Sequence, residues 1–372
     1  MNIYKKTVST ALSLCLAVTT TFAQVQERLL GGDISMYPVY RQNGTIYSDE
    51  NGKSVELLPW LKSQGWNAIR VRLFVDPNNA NEQHKGEGVC QDLAFVTEFA
   101  RQIKAMDMQF MLDFHYSDTW ADPGKQFIPK QWEGASDRIL ADSVYQHTRN
   151  ALLTLISAGA EPDLIQVGNE ITNGMLWPCG RVNPCSDNNW DVLTLMLKNG
   201  VRACREVCPK AKLIIHTEKA GDLNATLSYY NKLQKYGVDY DIIGLSYYPM
   251  WHKSIPNLGI TLRALEKEFT DKPVMIVETA AYYSHENDHW VKDPNQYGEF
   301  YPISKEGQLQ FTLELVNELK RHKNVTGLFW WFPEENASAS ESTSGWLNRG
   351  LFDNHTGNAL PALKAFNSYI SE

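Results

Sequence analysis

The sequence predicts a single (β/α)8 barrel. Eight short apolar runs are separated by amphipathic stretches or long polar loops. The alternation fills the chain without an internal repeat, a low-complexity stretch or a Pro/Ser linker. Polar residues collect at the C-terminal end of nearly every run.

In chain order, LLGGDIS (29–35) is the first strand and carries Asp33. NAIRVRLF (67–74) follows, with Arg70 and Arg72 two residues apart and so on one face. LAFVTEFARQIKAM has helical spacing and leads to QFMLDFH (109–115), which ends in Asp113 and His115. LIQVGNE (164–170) runs apolar to Val167 and then places Asn169 and Glu170 at its lip. KLIIHT (212–217) contributes His216 and DIIGLSYY (241–248) contributes Tyr247 and Tyr248. A second amphipathic helix, TLRALEKEF, precedes VMIVET (274–279), which carries Glu278. GLFWW (327–331) closes the set with Trp330 and Trp331. An open doubly wound sheet would accommodate the same alternation, but a dinucleotide site needs a Gly-rich turn after an early strand, and GGDIS is not one. Barrel enzymes build their sites at the C-terminal strand ends, where the polar residues gather.

The chain has 372 residues, 43% of them hydrophobic, enough for one large core. A net charge of -8 with no long basic run speaks against nucleic acid as a partner. The 11 Trp and 17 Tyr suit the flat faces of sugars, although such rings also fill cores. The first residues, MNIYKKTVSTALSLCLAVTTTFAQ, combine a basic start, an apolar run and a small-residue end. They predict an export signal over 1–23, too short to span a bilayer, and an exported protein that is secreted, periplasmic or held at the cell surface. Lipid anchoring at Cys15 is the weaker reading, because Leu14 precedes it where a small residue is expected. No other segment is long and apolar enough to cross a membrane, and a monomer is expected. Residues 24–372 then form the catalytic domain. Of the cysteines left after cleavage, Cys179 and Cys185 flank a short polar loop that a disulfide can close. Cys204 and Cys208 lie one helical turn apart, a less convenient geometry, and the odd number leaves at least one free thiol.

Glu170 and Glu278 carry the chemical argument. They end the fourth and seventh strands, on opposing sides of a barrel mouth. Glycoside hydrolysis needs such a pair, one acid to protonate the leaving oxygen and one carboxylate to attack or stabilise the sugar cation. A gap of roughly 5–5.5 Å means retention of configuration and roughly 6.5–9.5 Å means inversion. A lone strand-end glutamate is more often a salt-bridged structural acid; two at these positions, one preceded by Asn, favour catalysis. No G-x-S-x-G turn points to a serine nucleophile, and no H-E-x-x-H points to zinc.

Long motifs then identify a resemblance. GGDISM (31–36), IRVRLFVDP (69–77), LDFHYSDTWADPGKQ (112–126), VGNEITNGMLWP (167–178), IIGLSYYP (242–249), VMIVET (274–279) and LFDNHTGNALPAL (351–363) resemble, in order and over nearly all of the chain, glycoside hydrolase family 53. These are the endo-β-1,4-galactanases, within the large barrel clan whose acid follows Asn on strand four. The resemblance implies a retaining hydrolase of galactan and type I arabinogalactan, with galacto-oligosaccharides as products. It implies Glu170 as acid/base, Glu278 as nucleophile and Asn169 on the sugar 2-OH. Arg72 would orient and ionise the nucleophile, with Arg70 one layer deeper. Tyr247 and Trp330 or Trp331 would shape the cleaved subsite, although adjacent residues in a strand face opposite ways. Asp118 and Trp120 would line the glycone side, and Trp177 would offer another platform. His115 and His216 sit near the mouth, as scaffold or as sugar contacts. Glu218, Lys219 and Ala220 replace the family's Asp-Asn-Gly, and Trp331 is followed by Phe332-Pro333-Glu334-Glu335 in place of Glu-Pro-Ala-Trp, which puts distant subsites in doubt. No cofactor is required. A structural calcium ion is conceivable, with SHENDHW (284–290) and DPNQYGE (293–299) offering oxygen ligands without a spaced acidic ladder.

Overall fold

The computed structural model describes residues 28–286, 293, 298–339 and 346–370. The proposed leader, Cys15 and most of the two calcium-candidate segments fall outside them. Eight parallel strands close into a barrel: β1 (Leu29–Asp33), β2 (Ala68–Leu73), β3 (Gln109–Phe114), β4 (Leu164–Val167), β5 (Lys212–Thr217), β6 (Ile242–Tyr247), β7 (Val274–Thr279) and β8 (Val325–Trp331). Each strand pairs with its sequence neighbours, and β1 closes on β8 with Asp33 opposite Trp331. A short antiparallel pair, Gly174–Met175 with Gly180–Arg181, follows β4. Strand boundaries lie within three residues of the sequence reading; β4 is the shortest, ending at Val167 where the sequence reading continued to Glu170.

Helices follow the strands because their sequences have one apolar face to bury. Leu93–Ala105 is capped by Asp92, which accepts from Phe95 N, and buries Val96, Phe99, Ala100 and Ile103. Asp222 and Ser304 cap Leu223–Lys235 and Lys305–Lys320 in the same way. These faces pack on the outward residues of the strands, such as Ile69, Val71, Ile215 and Leu245, in one large core. A smaller cluster fills the barrel floor: Ala68, Met111, Leu164, Ile214, Ile242, Met275, Val277 and Phe329. Gly31 is required beside this floor, since a Cβ there would stand 2.2 Å from the Ala68 carbonyl oxygen and 2.8 Å from the Phe329 ring.

Strand alternation stacks a polar layer on that floor. Arg70 and Arg72 follow Ala68, Asp113 follows Met111, Gln166 follows Leu164, His216 follows Ile214, and Gly244 and Ser246 follow Ile242. Strand β7 breaks the alternation. Leu245 pairs with Ile276 but Ser246 pairs with Glu278, so β7 holds one extra residue. That bulge lets Val277 fill the floor while its neighbour Glu278 also reaches inward. Among the described residues, no helix is long and apolar enough to cross a membrane.

Candidate active site

The Gly168-Asn169-Glu170 turn raises its polar residues above the strand line. Gly168 has φ 89°, and Glu170 is itself left-handed at φ 48°, ψ 50°, a conformation that costs a non-glycine residue energy and that surrounding structure must hold. Asn169 is fixed on both sides, its Oδ1 accepting from Arg70 Nη2 at 2.9 Å and its Nδ2 donating to the Ala121 carbonyl at 2.8 Å.

Glu170 and Glu278 meet across the mouth. One oxygen of each, and a ring nitrogen of His216, all lie within 4.8 Å of one another. Ser246 Oγ bridges them, 2.7 Å from Glu170 Oε1 and 3.4 Å from Glu278 Oε2. The two environments differ. Glu278 Oε1 is 2.8 Å from Arg70 Nη2, and its Oε2 accepts from the Tyr248 hydroxyl at 2.9 Å. Glu170 has the serine and no cation. Burial pushes the Glu170 carboxyl well above the usual range, and the charges of Glu278 and Glu218 add to this. Burial also raises Glu278, but Arg70 and the Tyr248 hydroxyl oppose it. Of the two, Glu170 is therefore the more readily protonated and Glu278 the more readily ionised.

Arg70 is the centre of the buried layer. It pairs with Asp33 at 2.9 Å and Asp113 at 2.8 Å as well as with Glu278. The guanidinium on the nucleophile candidate is thus that of Arg70 and not of Arg72. Arg72 pairs with Asp33 at 3.1 Å and lies between the rings of Trp120 and Phe332, 4.7 and 4.6 Å from their centroids. From one layer deeper Arg70 reaches up, because its long side chain stands over the flat floor formed by Ala68 and Met111.

His216 is fully buried under the pair, with Nδ1 2.9 Å from Asn169 Oδ1 and Nε2 2.8 Å from Ser246 Oγ. Burial and the nearby Arg70 depress its pKa, so the ring is neutral. With both nitrogens engaged, His216 supports the two acids and is poorly placed to bind an ion with them. His115 donates from Nε2 to Asp113 at 2.9 Å, accepts from Ala121 N at 3.1 Å, and shows one edge to the cleft.

Of the aromatic candidates, Trp120 and Trp331 line the cleft, edge to face at 6.0 Å. Trp330 faces the helices instead, between Phe311 and Phe366, and donates to the Arg349 carbonyl. Tyr247 likewise points outward onto Phe311 and donates to the Lys253 carbonyl, so Tyr248 is the tyrosine of the site. Asp118 lies outside the cleft lining. It ties loops together by accepting from Asp76 N, Asn79 Nδ2 and Lys130 N at 2.9 to 3.1 Å. Trp177 is also outside, donating to the Asn173 carbonyl under the guanidinium of Arg181.

Sequence reasoning placed Asp113 at a strand end without a role and did not single out Ser246 or Gln166, nor the cleft residues Trp251, Trp346, Glu218 and Lys219 as sugar contacts. Strand periodicity held a signal for the first set, since Ser246 and Tyr248 share a face, as do Asp113 and His115. Nothing local marks Trp251 or Trp346, which come from loops after β6 and β8. All five described cysteines are free thiols, so Cys179 and Cys185 do not close their loop.

The family model for glycosyl hydrolase family 53 matches residues 29–366. An arabinogalactan endo-β-1,4-galactanase of Cellvibrio japonicus is 32% identical over 374 residues, covering 96% of this chain and 95% of that protein. The solved catalytic domain of a family 53 enzyme from Ignisphaera aggregans is similar with TM-score 0.82 at 34% identity, over 92% of this chain and 96% of that one. A solved fungal β-1,4-galactanase is similar with TM-score 0.76 at 29% identity, over 91% and 99%.

Proposed function

This chain belongs to glycosyl hydrolase family 53, and on that premise we propose that it cleaves internal β-1,4-galactosidic bonds of galactan and type I arabinogalactan with retention of configuration. The observation that carries the mechanism is the close approach of Glu170 and Glu278, with oxygens within 4.8 Å. So near an approach of one oxygen from each acid is in keeping with the closer, retaining pair, whose carboxyls stand roughly 5–5.5 Å apart. Glu278, charged and held by Arg70 and Tyr248, attacks the anomeric carbon. Glu170 gives its proton to the departing glycosidic oxygen. With the sugar esterified to Glu278, Glu170 is ionised and takes a proton from water, which attacks the same carbon and frees Glu278. Asn169, pinned between Arg70 and Ala121, presents its amide to the sugar in the cleaved subsite. Trp120 and Trp331 offer apolar faces on the β1–β3 and β8 side. The chemistry requires no cofactor. Residues 1–23 act as an export leader, and a structural calcium between the loops after β7 and β8 would serve stability alone.

The assay is release of reducing ends from purified galactan, mannan and xylan, with NMR of the first-formed anomer. New ends from galactan with the β-anomer first support the reading. Activity confined to mannan or xylan would move the enzyme to another substrate within the same barrel clan. Glu170→Gln and Glu278→Gln should each lower galactan cleavage by about a thousandfold, in keeping with the loss of a proton donor or a nucleophile. Either variant working at the parent rate would refute the assignment.

A further inference from the structure

Glu218 and Lys219 stand at the end of β5 and line the cleft beside Glu170. Glu218 is 2% exposed. Its Oε2 accepts from the Thr172 hydroxyl at 2.6 Å, which ties it to the turn that carries Glu170. Its Oε1 makes no directed hydrogen bond, although Lys219 Nζ stands 2.9 Å away. A buried carboxylate oxygen held only by an off-axis cation is under-satisfied, and such groups have a reason for being so. Lys219 Nζ has three donors, and Glu218 engages at most one. Its side chain is 35% exposed, toward the cleft it lines.

The backbone beneath the pair is fixed. The Lys219 carbonyl accepts from Asp222 N at 2.8 Å and from Thr226 Oγ1 at 2.7 Å. Gly221 packs so closely on the next loop that a Cβ would stand 2.1 Å from the His252 carbonyl oxygen. That same loop presents Trp251, half-exposed, on the same side of the cleft. An apolar ring beside a part-exposed charged donor is a pattern that binds a sugar, with a face to stack on and a hydroxyl to read.

Position says which sugar. The acid stands on the leaving-group side of the cleaved bond, and Glu218 is tied to the turn of the acid. Trp120, Trp331 and Arg72 lie on the other side. Resting on the family 53 reading above, we propose that Glu218 and Lys219 form a hydroxyl-reading pair for the first sugar on the leaving-group side. A hydroxyl accepts from Lys219 Nζ, and Glu218 Oε1, closed off from solvent beneath it, holds the ammonium in place. The pair sets which leaving sugars, and which acceptors in the reverse transfer, the enzyme prefers.

The test compares two substrates in the parent, Lys219→Met and Lys219→Arg: a galactotetraose, which fills the leaving side with sugar, and an aryl galactobioside, which fills it with an aromatic ring. Losing one charge-assisted hydrogen bond corresponds to about a tenfold effect. The ratio of kcat/KM for the tetraose over the aryl glycoside should fall about tenfold in Lys219→Met and recover in Lys219→Arg. Partition of the glycosyl-enzyme between water and added galactobiose should shift toward water by a similar factor. A ratio and partition equal to those of the parent would overturn the pair. Parent activity is read separately: if the parent cleaves a different β-1,4-linked polymer, the substrate reading falls, and the same ratio is measured with that polymer's oligosaccharide and aryl glycoside.

Discussion

Arg70 Nη2 lies 2.8 Å from Glu278 Oε1 and, in the same layer, the Arg70 guanidinium holds Asp33 and Asp113. One cation thus bridges carboxylates from β1, β3 and β7, with Asp33 and Asp113 fully buried and Glu278 at the cleft. Arg70 is fully buried, and the surrounding charges hold its pKa above its ordinary value. Removing one member of a buried ionic cluster leaves the others uncompensated, at a cost of about 3–5 kcal/mol. Arg70→Met should therefore lower unfolding stability by about that amount, measured by urea titration. A loss no greater than that of a surface Lys→Met control would show that the cluster is not an interdependent unit.

The barrel was legible because its strands are short apolar runs with polar ends, and burial on both faces forces that pattern. The two acids were legible because they come as a pair on opposing strands, one preceded by Asn; a lone strand-end carboxylate is more often an ion-pair partner, as Asp33 and Asp113 are here. The choice between neighbours was not. Tyr247 against Tyr248 and Trp330 against Trp331 turn on which parity faces inward, and the floor residues that settle it, Ile242 and Phe329, look like any other apolar residue in the sequence. The family resemblance implies Arg72 as the partner of the nucleophile, with Arg70 one layer deeper. The structure reverses this, since the rings of Trp120 and Phe332 clamp Arg72 and Arg70 alone extends upward. The bulge at Val277 has no local signature at all, yet it aims Glu278.

The cysteines offer a simple count. Cys185 is exposed, while Cys204 and Cys208 are buried, and burial pushes the Cys208 thiol up to about 12. The thiolate is the reactive form, so buried raised thiols react slowly. In native buffer without reductant, iodoacetamide should modify Cys185 first and leave Cys204 and Cys208 until the protein is unfolded. Peptide mapping that finds Cys179 joined to Cys185 would contradict the structure.

Tyr248 controls the acid side of the pH profile. Its hydroxyl donates to Glu278 Oε2 at 2.9 Å and so favours the charged carboxylate. On the proposed mechanism activity needs that charge and should be lost as pH falls through the Glu278 pKa. Tyr248→Phe removes the donor, raises that pKa and moves the acid limb of kcat/KM to higher pH, by about one unit for a hydrogen bond to a charged group. The alkaline limb, which reports Glu170, should move less. An unchanged acid limb would mean that Arg70 alone sets the charge of Glu278.

Ser246 acts on the other limb, with the opposite consequence. Its Oγ donates to Glu170 Oε1 at 2.7 Å, which stabilises the charged form and partly offsets the upward push of burial. On the proposed mechanism the enzyme is active while Glu170 holds its proton, and activity should be lost as pH rises through that pKa. Ser246→Ala therefore raises the Glu170 pKa further and should carry the alkaline limb about one unit upward. The serine also touches His216 Nε2 at 2.8 Å, so its loss leaves that ring nitrogen without a partner and should lower the maximal rate. The two effects separate cleanly, since a change in the height of the profile reports positioning and a change in its limb reports the proton. A limb that moves down instead would mean that the hydroxyl accepts a proton from Glu170 rather than donating to it, and that the hydrogen bond favours the acid over its conjugate base.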